Sequence, residues 1–98
     1  MPRDHEIVHA SNFFFVLGNV TRIRILNALK QKKKLSVTEV ARELDMLHAA
    51  ISIQLNLLYR VGLVNRERQG LNKIYSLNER KLRQETNDAR KTVSWLFE

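Results

Sequence analysis

The stretch from Ser36 to Leu58 constrains the fold most, because it has the pattern of two short helices joined by a tight turn. Ser36 and Glu39 are spaced as a capping box, in which each side chain accepts a hydrogen bond from an unpaired backbone N–H at the start of a helix. Asp45 and Met46 are predicted to form the turn, since Asp tolerates the left-handed conformation that many helix ends require. Apolar residues recur at helical spacing before that turn: Val37, Val40, Ala41 and Leu44.

The second helix, predicted from about Leu47 to Tyr59, has two faces of different character. At 100° per residue, the residues predicted to point inward are Leu47, Ile51, Gln54, Leu55 and Leu58. Those predicted to point outward are His48, Ala49, Ser52, Ile53 and Asn56. The outward set has no acidic side chain that would repel phosphate, and a helix of this kind can enter the major groove. We therefore predict that it reads DNA bases; the alternative is a half-buried helix in a small all-helical domain.

Charge and composition favour a nucleic-acid partner. The 98-residue chain has 17 Lys and Arg against 10 Asp and Glu, a net charge of +7 and a pI near 10.3. This balance suits polyanions, with nucleic acid first and an anionic membrane surface second. The absence of cysteine excludes disulfides and thiolate metal sites. There is no apolar run of about 20 residues and no signal-peptide pattern, so we expect a cytoplasmic protein that does not enter a membrane.

Two more helices are predicted before this motif. Asp4 to Leu17 is apolar on several sides, which predicts burial against both its own domain and a partner chain. Gly18 is predicted to end this helix, and Asn19 to cap the next one, which runs from about Val20 to Gln31. In that second helix we expect Ile23, Ile25, Leu26 and Leu29 to point inward and Arg22 and Arg24 to lie off that face.

A basic run and a hairpin flank the helix-turn-helix. Lys32, Lys33 and Lys34 form either a solvated loop or a phosphate contact beside the groove, and Leu35 is predicted to start a very short strand. Leu63 to Arg68 and Lys73 to Leu77 are predicted as strands joined by a turn at residues 69–72. Directly after a helix-turn-helix, such a hairpin is typical of a wing that straddles the DNA backbone or reaches a minor groove; an ordinary surface hairpin is the alternative. Its basic residues near the tip are Arg66, Arg68 and Lys73.

The last segment, Asn78 to Phe97, is predicted as one helix capped by Asn78. Leu82, Thr86, Ala89, Val93 and Leu96 recur at steps of four and three, which is the spacing of a coiled-coil seam. Together with the apolar first helix, this seam predicts that the two chain ends build a homodimer interface. The residues predicted to form it are Ile7, Phe14, Phe15, Leu82, Ala89, Val93 and Leu96.

Two motifs resemble the ArsR/SmtB family of winged-helix repressors. Residues 17–29, LGNVTRIRILNAL, resemble that family's L-x-D-P-T-R-L-R-I-L signature, and residues 50–64, AISIQLNLLYRVGLV, resemble its V-S-x-H-L-x-x-L-x-x-A-G-L-V. The resemblance implies a mainly α fold with a small β-hairpin, a winged helix-turn-helix of order α-α-α-α-β-β-α, in a single domain over residues 1–98. It also implies a homodimeric repressor that binds double-stranded DNA at a palindromic operator and is released by an inducer, which the sequence does not identify.

The chain departs from the family's pattern where metal sensors carry their ligands. Leu35 to Thr38 replace the cysteine motif of the sensing helix, and the terminal helix has no histidine. Val20, Leu47, Ile53 and Gln54 also differ from the usual residues. His5 and His9 could share a metal with Asp4 or Glu6, but two histidines near a terminus are more often incidental. We therefore predict no metal and no other cofactor.

The alternatives to a DNA-binding regulator are an enzyme and a module that binds another protein. Three scattered histidines, no cysteine and no Gly-rich phosphate loop argue against the first, an enzyme. The second is a winged-helix module that binds another protein, as in a small viral or plasmid-borne regulator. The uncharged reading helix favours it somewhat and the basic wing argues against it.

Overall fold

The computed structural model describes residues 1–98. Five helices and a small sheet follow one another in the predicted winged-helix order. The elements are α1 (Asp4–Leu17), α2 (Val20–Lys32), β1 (Leu35–Ser36), α3 (Val37–Leu44), α4 (His48–Arg60), β2 (Val64–Gln69), β3 (Asn72–Leu77) and α5 (Glu79–Ser94), followed by one turn of 3₁₀ helix at Trp95–Phe97. The predicted terminal helix therefore ends earlier, at Ser94, and its last residues tighten into the 3₁₀ turn.

The helix-turn-helix forms through the local signals that predicted it. Ser36 Oγ accepts from the Glu39 N–H at 3.1 Å, and Glu39 Oε1 accepts from the Ser36 N–H at 2.8 Å. These bonds to Ser36 hold the pKa of Glu39 below its ordinary value. Asp45 ends α3 in the left-handed region at φ 51°. The tight turn after it lets α4 start at His48.

Three fully buried residues on one side of α4 fix it to the core. Ile51, Leu55 and Leu58 pack with the other buried apolar residues of a core that spans the helices and the sheet. Burying each such side chain stabilises the fold by about 1.5–3 kcal/mol. Leu47 was predicted to join them but is 80% exposed. The prediction was wrong because Leu47 has extended backbone and precedes the first turn of α4, so the helical periodicity does not apply to it.

The sheet is antiparallel with strand order β1-β3-β2. The very short strand predicted at Leu35 is present, and Leu35 pairs with Tyr75, which places the two-residue β1 beside β3. β2 and β3 form the hairpin, and pairing continues to Gln69 opposite Asn72. The turn therefore contains only Gly70 and Leu71, two residues fewer than predicted. Gly70 has φ +62°, a conformation that favours glycine.

The terminal helices pack against each other within the chain. Ala10 and Phe13 of α1 and Ala89 of α5 are buried parts of the core. None of the helices has both the length and the apolar character needed to cross a membrane.

Candidate nucleic-acid interface

The outward face of α4 is accessible along its length. His48, Ala49 and Ile53 are exposed, and Ser52 and Asn56 are half-buried. Ile53 is a large apolar side chain that is 66% exposed, although its neighbours Ile51 and Leu55 on the same helix are fully buried. None of the five residues predicted to read bases is buried, in contrast to Ile51, Leu55 and Leu58 on the same helix. This face can offer hydroxyl, amide, imidazole and methyl groups to a groove.

The wing ends in two cations and an exposed leucine. Arg68 and Lys73 face each other in the β2–β3 register, and both are exposed without an ion pair. Leu71, in the turn beyond them, is 96% exposed. Charge concentrated at the tip of a hairpin that protrudes from a winged helix suits contact with phosphates.

Arg66, the third wing cation, has a different environment. Its guanidinium lies 3.8 Å from the centroid of the Tyr59 ring, and the side chain is only half exposed. A cation over an aromatic face is an attractive contact. This contact connects β2 to the last turns of α4, so Arg66 is partly engaged in holding the wing against that helix. The sequence offered no signal for this pair, because the two residues belong to different elements.

The three lysines at the end of α2 and just before β1 have different environments. Lys34 Nζ donates to Glu67 Oε1 of β2 at 2.9 Å, which ties this segment to the wing. Lys33 has a positive φ of 75°, and the Lys34 N–H donates to the Lys32 carbonyl across it, as in a γ-turn. Lys32 and Lys33 are exposed and make no ion pair. Two of the three predicted phosphate ligands are thus free, and the third is already partnered by a carboxylate.

Arg22 contradicts the prediction that it lies off the inward face of α2. It is buried, with only 7% of its surface exposed, and its side chain makes three hydrogen bonds. Nε donates to the Val16 carbonyl at 2.6 Å, Nη2 to the Phe15 carbonyl at 3.2 Å and Nη1 to Gln54 Oε1 at 2.9 Å. Ile23, predicted inward, is instead exposed. Arg22 is buried because α1 ends without a basic residue and Arg22 supplies the donors for its last carbonyls. Helical periodicity within α2 cannot show a requirement that comes from the end of a different helix.

The sequence and the fold of this chain are similar to those of bacterial transcription regulators. A family model described as bacterial regulatory protein, arsR family, matches residues 19–66. M. tuberculosis Rv0081 is 31% identical, with a TM-score of 0.67, over 89% of this chain and 87% of that chain. Reduced HlyU from Vibrio cholerae N16961 is 30% identical, with a TM-score of 0.68, over 76% and 77% of the two chains. The chain belongs to the ArsR family. A third similar structure, the antimony-specific transcriptional repressor AntR, is 28% identical, with a TM-score of 0.75, over 98% and 87%.

Membership of the ArsR family makes this chain a DNA-binding transcription regulator rather than an enzyme. The prediction of a winged helix-turn-helix regulator is confirmed. In this ArsR-family fold, α3 and α4 are the helix-turn-helix and β2 and β3 are the wing.

Several apolar residues of α1, of α5 and of the 3₁₀ turn after α5 remain accessible to solvent. Phe15 is 75% exposed, Ile7, Phe14 and Leu96 are also exposed, and Leu82 and Val93 are half-buried. We call these six residues the terminal-helix surface. Ala89, also predicted as an interface residue, is only 1% exposed because it packs inside this chain. It therefore has almost no surface left to offer a partner.

A buried carboxylate holds α1 to α5 in this ArsR-family chain. Glu85 of α5 is 8% exposed. Its Oε1 lies 3.1 Å from Lys81 Nζ, and its Oε2 pairs with His9 Nε2 of α1. Burial alone would raise the pKa of Glu85, but the hydrogen bonds from Lys81 and His9 outweigh it, and the net pKa is below the ordinary value. No group of three His, Asp or Glu side chains in the structure is placed to hold a metal ion. His9, one of the two histidines considered as ligands, contacts Glu85.

Proposed function

We propose that this ArsR-family regulator is a homodimeric repressor that binds a palindromic operator through α4 and the wing. One observation carries the proposal: α4 is fixed to the core by three fully buried residues, while none of the five residues predicted to read bases is buried and the helix has no carboxylate. A rigid helix with such a face is suited to reading base edges in the major groove.

The base-reading roles follow from the chemistry of each side chain. Asn56 can pair both amide groups with adenine, and His48 and Ser52 can each meet a donor or an acceptor. Ile53 has no polar atom, so we assign it to a thymine methyl, and Ala49 is small enough to permit close approach. Arginine and lysine are the usual residues that contact guanine, and none of these five is either, so we expect A·T-rich half-sites.

Phosphate contacts would come from the wing and the lysine segment. Arg68 and Lys73 have no ion-pair partner, and Lys32 and Lys33 are likewise exposed and unpaired. Arg66 and Lys34, each engaged with a neighbouring side chain, would contribute less. Cations of this kind position a protein on the duplex without selecting a sequence.

The terminal-helix surface supports dimerisation. Phe15, Ile7, Phe14 and Leu96 leave more apolar area exposed than a small monomer usually tolerates. A two-fold dimer would place one α4 in each of two successive major-groove segments, about 34–36 Å apart. Repression is proposed by analogy, since AntR is described as a transcriptional repressor.

A gel shift with a library of random genomic duplexes tests this function. A repressor of a defined operator should retain a discrete subset of fragments at salt concentrations that release the remainder. A module whose partner is another protein would instead retain all fragments weakly and release them together as salt rises.

A further inference from the structure

Arg22 is a buried cation whose hydrogen-bonding partners are all uncharged. Its guanidinium contacts the carbonyls of Phe15 and Val16 at the end of α1 and the amide oxygen of Gln54 on α4. No carboxylate forms an ion pair with it. Its own backbone N–H donates to Asn19 Oδ1, the cap of α2, so Arg22 is fixed at both ends.

The bonds to α1 have a clear structural cause. The last carbonyls of a helix have no partner within it, and that end of the helix carries partial negative charge. α1 has no basic residue in its last turn, so Arg22 supplies both hydrogen bonds and positive charge there. The bond to Gln54 goes beyond this requirement, because it joins the same guanidinium to a different helix.

Gln54 is a half-buried residue of α4, the helix that also carries Ser52 and Asn56, which we assign to base reading. α1 carries part of the terminal-helix surface. The Arg22 side chain therefore spans from the helix that would meet the partner to the helix that would meet DNA. In a two-fold dimer, the orientation of α4 relative to α1 sets the distance and angle between the two reading helices.

We propose that Arg22 and Gln54 form a polar link that holds α4 at a fixed angle to α1 and thereby sets the half-site spacing the dimer accepts. In this role both are positioning residues and neither needs to touch DNA. The inference rests on the proposed function, since it requires a dimer on a two-fold operator.

The test compares two duplexes for each protein. The first is a duplex selected from a random library by the wild-type protein, and the second has two base pairs inserted at its centre. The insertion rotates one half-site by about 70° and moves it by about 7 Å. The measured quantity is the ratio of the two dissociation constants, inserted over natural.

Gln54→Leu removes the acceptor while leaving Arg22 bonded to α1. We expect the ratio to fall from roughly 30-fold in the wild type to below about 10-fold, because a mismatch of spacing costs less when the reading helix is less constrained. Gln54→Glu keeps an acceptor for Arg22 and should keep the wild-type ratio.

Arg22→Lys cannot bond α1 and Gln54 in the same forked geometry, so its ratio should fall as well. If Gln54→Leu does not fold, the ratio of Arg22→Lys decides between the outcomes.

The ratio separates the link from other roles of Gln54. If Gln54 only contacts a base, its loss weakens binding to both duplexes by the same factor and leaves the ratio unchanged. An unchanged ratio in Gln54→Leu, or in Arg22→Lys where Gln54→Leu does not fold, overturns the inference. If the wild-type protein selects a sequence without two-fold symmetry, the proposed function itself fails, and the inference fails with it.

Discussion

At the scale of single residues, Arg68 shows how charge and sequence reading can be separated. It faces Lys73 at the tip of the wing, is exposed and makes no ion pair. If a dimer makes about six to eight phosphate contacts, log K should fall with log salt with a slope of roughly −5 to −7. Arg68→Ala removes two contacts per dimer, so we expect weaker binding to all sequences alike and a slope flatter by about one or two units. Fluorescence anisotropy over a series of salt concentrations measures both the affinity and the salt slope.

Arg90→Ala is the matched control, because it removes the same charge from an exposed position on α5, outside the wing. It should leave the slope unchanged. A loss of affinity in Arg68→Ala that is confined to one operator sequence would contradict the phosphate assignment and place Arg68 on a base edge.

At the scale of the elements, Glu85 joins α5 to α1 through His9. Its pKa is lower in the folded chain than the ordinary value, so the carboxylate stabilises the fold above about pH 4.3, the usual value in an unfolded chain. That contribution is lost as the pH falls through the depressed folded-state value. Glu85→Gln should reduce the free energy of unfolding by about 1–2 kcal/mol at pH 7. Below the folded-state pKa, the variant and wild-type proteins should converge, because wild-type Glu85 is then also neutral.

Urea denaturation at pH 7 and across the acid range measures this difference. The control is Glu79→Gln, which breaks the exposed Lys30–Glu79 pair and should have a smaller effect, since water screens it. A difference between Glu85→Gln and wild type that stays constant down to pH 2 would show that the charge of Glu85 is not what stabilises the α1–α5 contact.

Local signals in the sequence predicted most of the elements. The Ser36–Glu39 capping box, Asp45 and the spacing of Ile51, Leu55 and Leu58 placed the helix-turn-helix, since each acts within a few residues. The buried charges were not predicted, because each has a partner that is distant in the chain. Gln54 lies 32 residues from Arg22, and Glu85 lies 76 residues from His9. Periodicity treats Arg and Glu as outward residues and cannot show which helix ends need a donor.

For the whole molecule, the terminal-helix surface should control the oligomeric state. Phe15→Glu places a charge in the proposed interface without removing a buried core residue, so the dimer should dissociate to folded monomers. Leu71→Glu makes the same kind of change on the wing tip and should remain dimeric. Sedimentation equilibrium distinguishes the monomer from the dimer for each variant. A Phe15→Glu protein that stays dimeric at low micromolar concentration would exclude this position from the interface.

No metal should release this regulator from DNA. The chain has no cysteine, and the positions where sensors of this family carry ligands hold other residues. Adding zinc, copper, cadmium or arsenite to the protein–DNA complex should therefore leave it intact in a gel shift. Release at stoichiometric metal that disappears when His5 and His9 are both replaced by Ala would show that these histidines form a sensing site.

The central claim is that two copies of α4 read a two-fold operator, with Asn56 contacting a base. Sequencing the duplexes that the wild-type and Asn56→Ala proteins select from one random library tests it most directly. The wild type should enrich an inverted repeat of A·T-rich half-sites about one helical turn, roughly 34–36 Å, apart. Asn56→Ala should lose preference at one base pair in each half-site, at a cost of about 1–3 kcal/mol for that contact. An enriched site without two-fold symmetry, or the same motif selected equally well by both proteins, would contradict the account.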